Sequence, residues 1–325
     1  MIRTVSDKYG YGRVMTILSI LTFIAGVVNA ALGELILPFS VSLAAALFIF
    51  ENPKKRILSF IIPISSVALG CILFGWQSLL SIQYVALAAV LAVCYRYCRS
   101  KAETAIYMTL LLFLFFILSI YVGGAVECGS FSPSSVGEYY RGIIATFKDK
   151  ATEMLINGEY GIKVSAGFGQ VLDEEGVKAY FDQVIAILPA IFAIVSFFLV
   201  GCSVKLFVFI TLKVSKHGIL KSFAHFIPSS LVAYIYVIIS VISIFLSFDS
   251  VFSLSIINAS ELLMFVFSYI GAQYVIALGT MYGKKSLAMT AIIAAILIIS
   301  SGAIQILSYL GAWFSISVSK PETLE

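Results

Sequence analysis

Residues 13–56 read RVMTILSILTFIAGVVNAALGELILPFSVSLAAALFIFENPKKR. The run from Val14 to Leu32 holds no charge and is close to the ~20 apolar residues that cross a bilayer core of ~30 Å. Gly33 and Glu34 form the whole connector before a second apolar run, Leu35 to Phe50, which ends at Lys54, Lys55 and Arg56. An apolar hairpin with a two-residue polar turn at one end and a basic cluster at the other is the pattern of paired membrane spans. The first run leads straight into another span and has no cleavage site before a soluble domain, so it is expected to be an anchor and not a cleaved signal peptide.

The same rhythm continues outward from this stretch. Arg3, Lys8 and Arg13 precede it; Arg96, Arg99 and Lys101, then Lys213, Lys216 and Lys221, then Lys284 and Lys285 follow it. Apolar runs between these clusters fit one hairpin each, or one helix on either side of a polar insert, so a single orientation puts every cluster on the cytoplasmic face. The composition agrees: 61% hydrophobic and 12% charged residues cannot be buried in one soluble core, where charged residues run near a quarter. The net charge of +4 is accounted for by this inside bias, and a nucleic-acid partner is not expected.

The reading is an all-α, polytopic transmembrane bundle of eight to nine spans, at 14–32, 35–50, 57–74, 78–95, 104–122, 184–210, 227–247, 261–280 and 287–311. The second, short and carrying Pro38, is open to a tilted or partly re-entrant reading. Four regions follow: an N-terminal bundle of about five spans (1–122), an extracytoplasmic insert (123–183), a C-terminal bundle of about four spans (184–313) and a tail (314–325). The expected setting is a bacterial plasma membrane with the N-terminus cytoplasmic.

The insert carries nine acids against five bases in residues 123–182 and lacks a run able to enter lipid. Ser135 with Glu138 reads as a capping box, and Val136, Tyr140, Ile143, Phe147, Ala151 and Met154 recur at helical spacing. Asn157-Gly158, Gly161, Gly167 and Gly169 break that helix. Asp173, Glu174 and Glu175 then open a second one with Val177, Tyr180, Phe181 and Val184, and Leu188-Pro189 marks a kink at re-entry. A cap over an outer cavity, a docking surface for an envelope partner and an interfacial linker all fit this pattern.

Polar groups at membrane depth are costly and few. Glu261 is the acid within an apolar run, with Asn258 three residues before it and Ser268 along the same stripe; Gln273 follows. These four are the candidate solute or ion ligands. A helix-start reading is open beside it, in which residues 249–260 form an outer loop and Glu261 sits at the headgroups. Asn29, Gln83 and Gln305 read as interhelical glue, and Lys205 as a side chain that snorkels to the inner interface. Cys94 and Cys98 share a helix face without a histidine, and His217 and His225 lie in a basic connector. No metal site, catalytic constellation or cofactor motif is expected, and the chain is not read as an enzyme.

This layout, with a span opened by Leu188-Pro189-Ala190, a basic connector ending in Phe226-Ile227-Pro228 and a later helix bearing Asn258 and Gln273, resembles the YybS-like family of bacterial multi-pass membrane proteins. Departures stand at Cys202, Ser203 and Lys205, and at Gln273-Tyr274. The family's N-terminal part is similar to the substrate-binding membrane subunits of energy-coupling-factor transporters. That resemblance implies a small-molecule solute and a separate energising subunit. A non-transport scaffold or sensor docking an envelope partner through the acidic insert is the alternative.

Overall fold

A computed structural model describes residues 11–50, 56–97, 101–156, 165–166, 170–171, 174–214, 228–246, 250–281 and 301–318. The basic clusters around Lys54, Arg99, Lys216 and Lys284, both histidines, Cys98, Asp173, the glycines at 158–169 and residues 287–300 of the last expected span lie outside the described residues. The described residues are helical apart from short connectors and a two-residue antiparallel pairing of Ser165-Ala166 with Gln170-Val171. Among the described residues five helical segments are long and apolar enough to cross a membrane, Gly12–Leu35, Trp76–Arg96, Glu103–Glu127, Leu188–Val214 and Phe252–Leu278. Four shorter apolar helices accompany them among the described residues. Large apolar side chains such as Ile17, Ile20 and Ile24, or Leu110, Leu114 and Ile117, stand exposed along the spans. A continuous apolar surface of this size is a surface for lipid. The chain is a membrane protein.

Two compact units divide the chain within the two helices that carry residues 115–116 and 192–193. The first unit contains α1 (Tyr11–Leu32), α2 (Leu37–Phe50), α3 (Arg56–Phe74) and α4 (Gln83–Arg96), with a 3₁₀ turn at Gly33–Leu35 and another at Trp76–Ile82. Its core is α2, the helix the sequence makes shortest. Leu37, Val41, Ala44, Ala45, Ala46 and Leu47 are fully enclosed, and 14 residues reach only ~21 Å. Small alanines let α1 and α4 close on it, so most of this run is buried, while Phe39 stands exposed and Leu43, one turn on, is half-buried. At one end the Arg96 guanidinium donates to the Phe48 carbonyl, joining the last turn of α4 to the last turn of α2. At the other end the Gln83 amide donates to Glu34 at 3.0 Å, joining the two polar turns. Gly75, with φ 90°, makes the second of those turns in a conformation that side chains resist.

α5 (Lys101–Glu127) is longer than the 104–122 expected, because Gly123 and Gly124 do not break it. Gly124 instead gives room to the ring of Tyr140. Lys205 lies close enough to Lys101, at the start of α5, to repel it, which agrees with a snorkelling reach to the basic end. Burial first, and that repulsion second, push the Lys101 ammonium below its ordinary range.

The second unit holds α6 (Pro133–Ile156) and α7 (Glu174–Ala186), the two helices expected in residues 135–156 and 173–187. The expected capping box is corrected. Pro133 occupies the first turn and the helix starts from Ser132, whose carbonyl accepts from Val136, so Ser135 is already inside it. Tyr140 donates to the Ile120 carbonyl at 2.6 Å, and desolvation pushes its phenol up, keeping the donor proton on. Phe147 and Phe181 meet edge to face at 6.1 Å, and Lys148 pairs with Asp182 at 2.6 Å, so α6 and α7 pack on each other.

α8 (Leu188–Val214) follows a one-residue break, and α9 (Ser230–Ser243), α10 (Val251–Met281) and α11 (Ser301–Val318) pack together. α10 and α11 cross at Gly271 and Gly311. An added Cβ at Gly271 would collide with the Leu307 carbonyl, and one at Gly311 with the Phe267 carbonyl. Backbones this close need residues with no side chain. The last helix extends to Val318, past the 311 expected, and takes in the first residues of the expected tail. α9 at 14 residues is shorter than the 227–247 expected.

Candidate functional site

The four expected ligands all lie on α10, spread over ~22 Å of its axis. α10 begins at Val251, not at 261. Ser250 caps it, its hydroxyl accepting from the Ser253 amide at 3.1 Å, and Ser243 bonds Ser260 at 3.2 Å. The stretch 251–260 is therefore helix, and the helix-start reading of Glu261 is corrected: the residue stands eleventh in a continuous helix, half-buried and within electrostatic reach of Tyr236. The hydroxyls of Ser243, Ser250, Ser253 and Ser260 are bonded within the protein.

Asn258 has a specific structural task. Pro189 interrupts the helical ladder between α7 and α8, and the ordinary bond from the Ala190 amide to the Ala186 carbonyl is replaced by the Asn258 side chain. Its Oδ1 accepts from the Ala190 N–H at 2.9 Å, while its Nδ2 donates to the Ala186 carbonyl at 3.0 Å and to Leu254 at 2.8 Å. One carboxamide thus stands in for a missing peptide bond partner on both sides, with both Nδ2 hydrogens spent and one Oδ1 lone pair engaged. Ser268 is likewise engaged, donating to Met264 at 2.6 Å and to Ile304 of α11 at 2.9 Å. Gln273 lies on the exposed surface. The structure brings Asn258 and Glu261 to adjacent turns and separates Ser268 and Gln273 from them in partners and in position.

The unengaged polar atoms lie elsewhere. On α1, Asn29 is 1% exposed, and neither its Nδ2 nor its Oδ1 has a partner among the described residues. Its surroundings are polar. Ser40 of α2 donates to the Ala25 carbonyl at 3.0 Å, one turn before Asn29. Next to Gly26, also one turn before, Ser66 and Tyr84 share a 2.6 Å bond, and both reach the Pro63 carbonyl that faces them, at 2.7 and 2.8 Å. Beyond Asn29, Ser78 donates to Ala30 at 3.3 Å. Gln83, buried, spends its Nε2 on Glu34 and leaves Oε1 unpartnered. This polar seam runs along α1 from the Glu34 turn to Pro63. The sequence reads Asn29 and Gln83 as structural amides; among the described residues Asn29 lacks a partner on both polar atoms, and the buried Thr109, Thr152 and Thr211 hydroxyls also lack one.

On the insert, Tyr139, Gly142, Ile143, Thr146, Phe147 and Lys150 line a shallow open depression on α6. Ile143, Phe147 and Tyr180 are exposed there and Phe181 is half-buried. Among the described residues no three His, Cys, Asp or Glu side chains gather as metal ligands. Compared with protein-family models, curated proteins and solved structures, the chain has no match.

Proposed function

We propose that this membrane protein binds a small solute within its N-terminal unit, as one component of a bacterial plasma-membrane uptake or sensing system of the YybS-like kind. In this reading the membrane is crossed eight or nine times, counting the shorter apolar helices, with the N-terminus cytoplasmic and residues 123–183 outside. The observation that carries it is the buried polar atoms of the N-terminal unit that have no partner among the described residues, both of the Asn29 carboxamide and the Oε1 of Gln83. Polar groups in hydrocarbon are normally paired, and an amide left open there marks a place where a partner binds. Glu261 remains a candidate for ion response, because a half-buried carboxylate in a continuous apolar helix needs water, a cation or a proton. The reading is non-enzymatic, and a driving subunit would be a separate chain.

Native mass spectrometry of the full chain, released gently from detergent, tests it. A bound non-lipid mass of a few hundred daltons is expected, and spectra with lipid adducts alone would overturn solute binding. For topology, single cysteines at Glu153 and Lys216 should react differently with an impermeant reagent on intact cells. A second reading, a scaffold docked through the insert, is favoured by the apolar depression around Ile143 and Phe147. Under it, Phe147→Asp would release a partner without changing bound solute.

A further inference from the structure

We propose that α6 lies in the phospholipid headgroup layer beside the end of α5, with its face of Ile143, Phe147 and Met154 seated in the lipid; the inference stands apart from solute binding. On a helical wheel these three residues, with Tyr139 and Lys150, fall within ~80° of one another. The three apolar side chains are 45%, 63% and 45% exposed, although the Phe147 ring also meets Phe181 of α7. Tyr139, Ile143, Phe147 and Lys150 line the open depression, about 500 Å³, so the face has room for an occupant. Glu138 and Asp149, both exposed, stand ~120–140° from the centre of the stripe. The helix thus sets its apolar residues, with a tyrosine and a lysine, on one side and these acids on the other. That division suits a helix lying in a membrane interface.

The course of the chain says what covers this face. The apolar segment Glu103–Glu127 has 25 residues, ~37 Å of helix against a hydrocarbon core of ~30 Å, and Ile120 stands ~26 Å along it, near the edge of that core. From Glu127 the chain folds back. The Ser130 N–H donates to the Ala125 carbonyl at 3.0 Å, and Tyr121 donates to the Phe131 carbonyl. Val136 and Tyr140 then lie against Gly124, and the Tyr140 hydroxyl reaches the Ile120 carbonyl at 2.6 Å. The first two turns of α6 therefore retrace the end of α5 towards the membrane. Ile120, Val126 and Phe131 are exposed around this contact and continue the lipid-facing surface of α5. At the other end of the hairpin only Ile187 separates α7 from α8, itself long and apolar enough to cross. With both ends held at the membrane boundary, the exposed apolar face meets acyl chains, while the Lys150 stem runs along them and its ammonium reaches the headgroups.

A photoreactive p-benzoylphenylalanine, placed singly at position 143, 147 or 149 of the full chain, identifies what each position touches. The chain is irradiated in nanodiscs containing phosphatidylglycerol and, separately, in cell membranes. Adducts of one phospholipid mass are expected in place of Ile143 and of Phe147, with their loss at Asp149. Two stripe positions keep the test decisive should one substitution disturb folding. A cross-linked dimer of the chain, a cross-link from the stripe to another protein in cell membranes, no adduct at either stripe position, or an equal lipid yield at position 149 would each overturn the proposal. None of these outcomes bears on whether the N-terminal unit binds a solute, which the mass spectra test on their own.

Discussion

Asn29 and Asn258 are the same residue type at membrane depth on two apolar helices, and the protein treats them in opposite ways. In the C-terminal unit Asn258 is used to the last atom, repairing the helix ladder that Pro189 interrupts. Its neighbours follow suit: Tyr236 with Ser308, Ser240 with Tyr309, Ser243 with Ser260 and Ser268 with Ile304 bind α9, α10 and α11 together. In the N-terminal unit Asn29 has no partner, and Gln83 is half-used. A polar residue within lipid is thus an invitation to count partners before assigning a function.

The comparison is broken most directly at Asn258. Asn258→Leu removes both stand-in bonds and leaves the Ala190 N–H and the Ala186 carbonyl without partners in a water-poor setting. At ~1–3 kcal/mol for each orphaned group, a loss of about 3 kcal/mol is expected, read as a fall in Tm and in the folded fraction in detergent. A Tm unchanged within error would show that α7 and α8 do not need the clasp. Next in size, Gly271→Val places side-chain atoms against the Leu307 carbonyl and must push α10 from α11. Overpacking of this kind costs about 2 kcal/mol, checked by the same melts and by faster proteolysis between the two helices. A silent substitution there would refute the close crossing.

Asn29→Leu sharpens the contrast because its sign is reversed. Replacing an unpartnered amide by an apolar group of similar size removes a desolvation penalty and breaks no bond, so the solute-free chain should gain about 1 kcal/mol. A marked loss of stability would mean that Asn29 has a protein partner after all, and the parallel with Asn258 would be restored.

Much of the architecture is legible in the sequence for simple reasons. Apolar run length announces the spans, and the steps Val136, Tyr140, Ile143, Phe147 announce α6, because both signals are local. The break at Leu188-Pro189 is local too, since a proline lacks its N–H. What mends the break is not: Asn258 acts from 68 and 72 residues away. Residues 250–260 resemble a loop because serines compete with the backbone for hydrogen bonds, and only Ser243 and the cap at Ser250 show that here they support a helix. The length of α5 also exceeds its reading, because Gly123 and Gly124 break a helix only where no ring packs on them. Partner accounting, which sets Asn29 apart, has no sequence signature at all.

The smallest expected effect lies on the insert, where charge and apolar contact can be weighed against each other. Lys148 and Asp182 approach to 2.6 Å, yet the Asp182 side chain is 64% exposed, so water screens the pair and competes for both ends. Exposed ion pairs are worth ~0.2–1 kcal/mol, and holding a lysine in one geometry offsets part of that. The neighbouring contact of Phe147 with Phe181 also joins α6 to α7, and it does not depend on salt. Lys148→Ala should therefore cost under about 0.5 kcal/mol, and raising ionic strength should erase even that difference. Phe147→Ala should loosen the hairpin more, seen as faster amide exchange across α7 at any salt concentration. If Lys148→Ala instead opened α7 as far as Phe147→Ala does, the hairpin would be held by charge, and its apolar residues would be free to serve a partner.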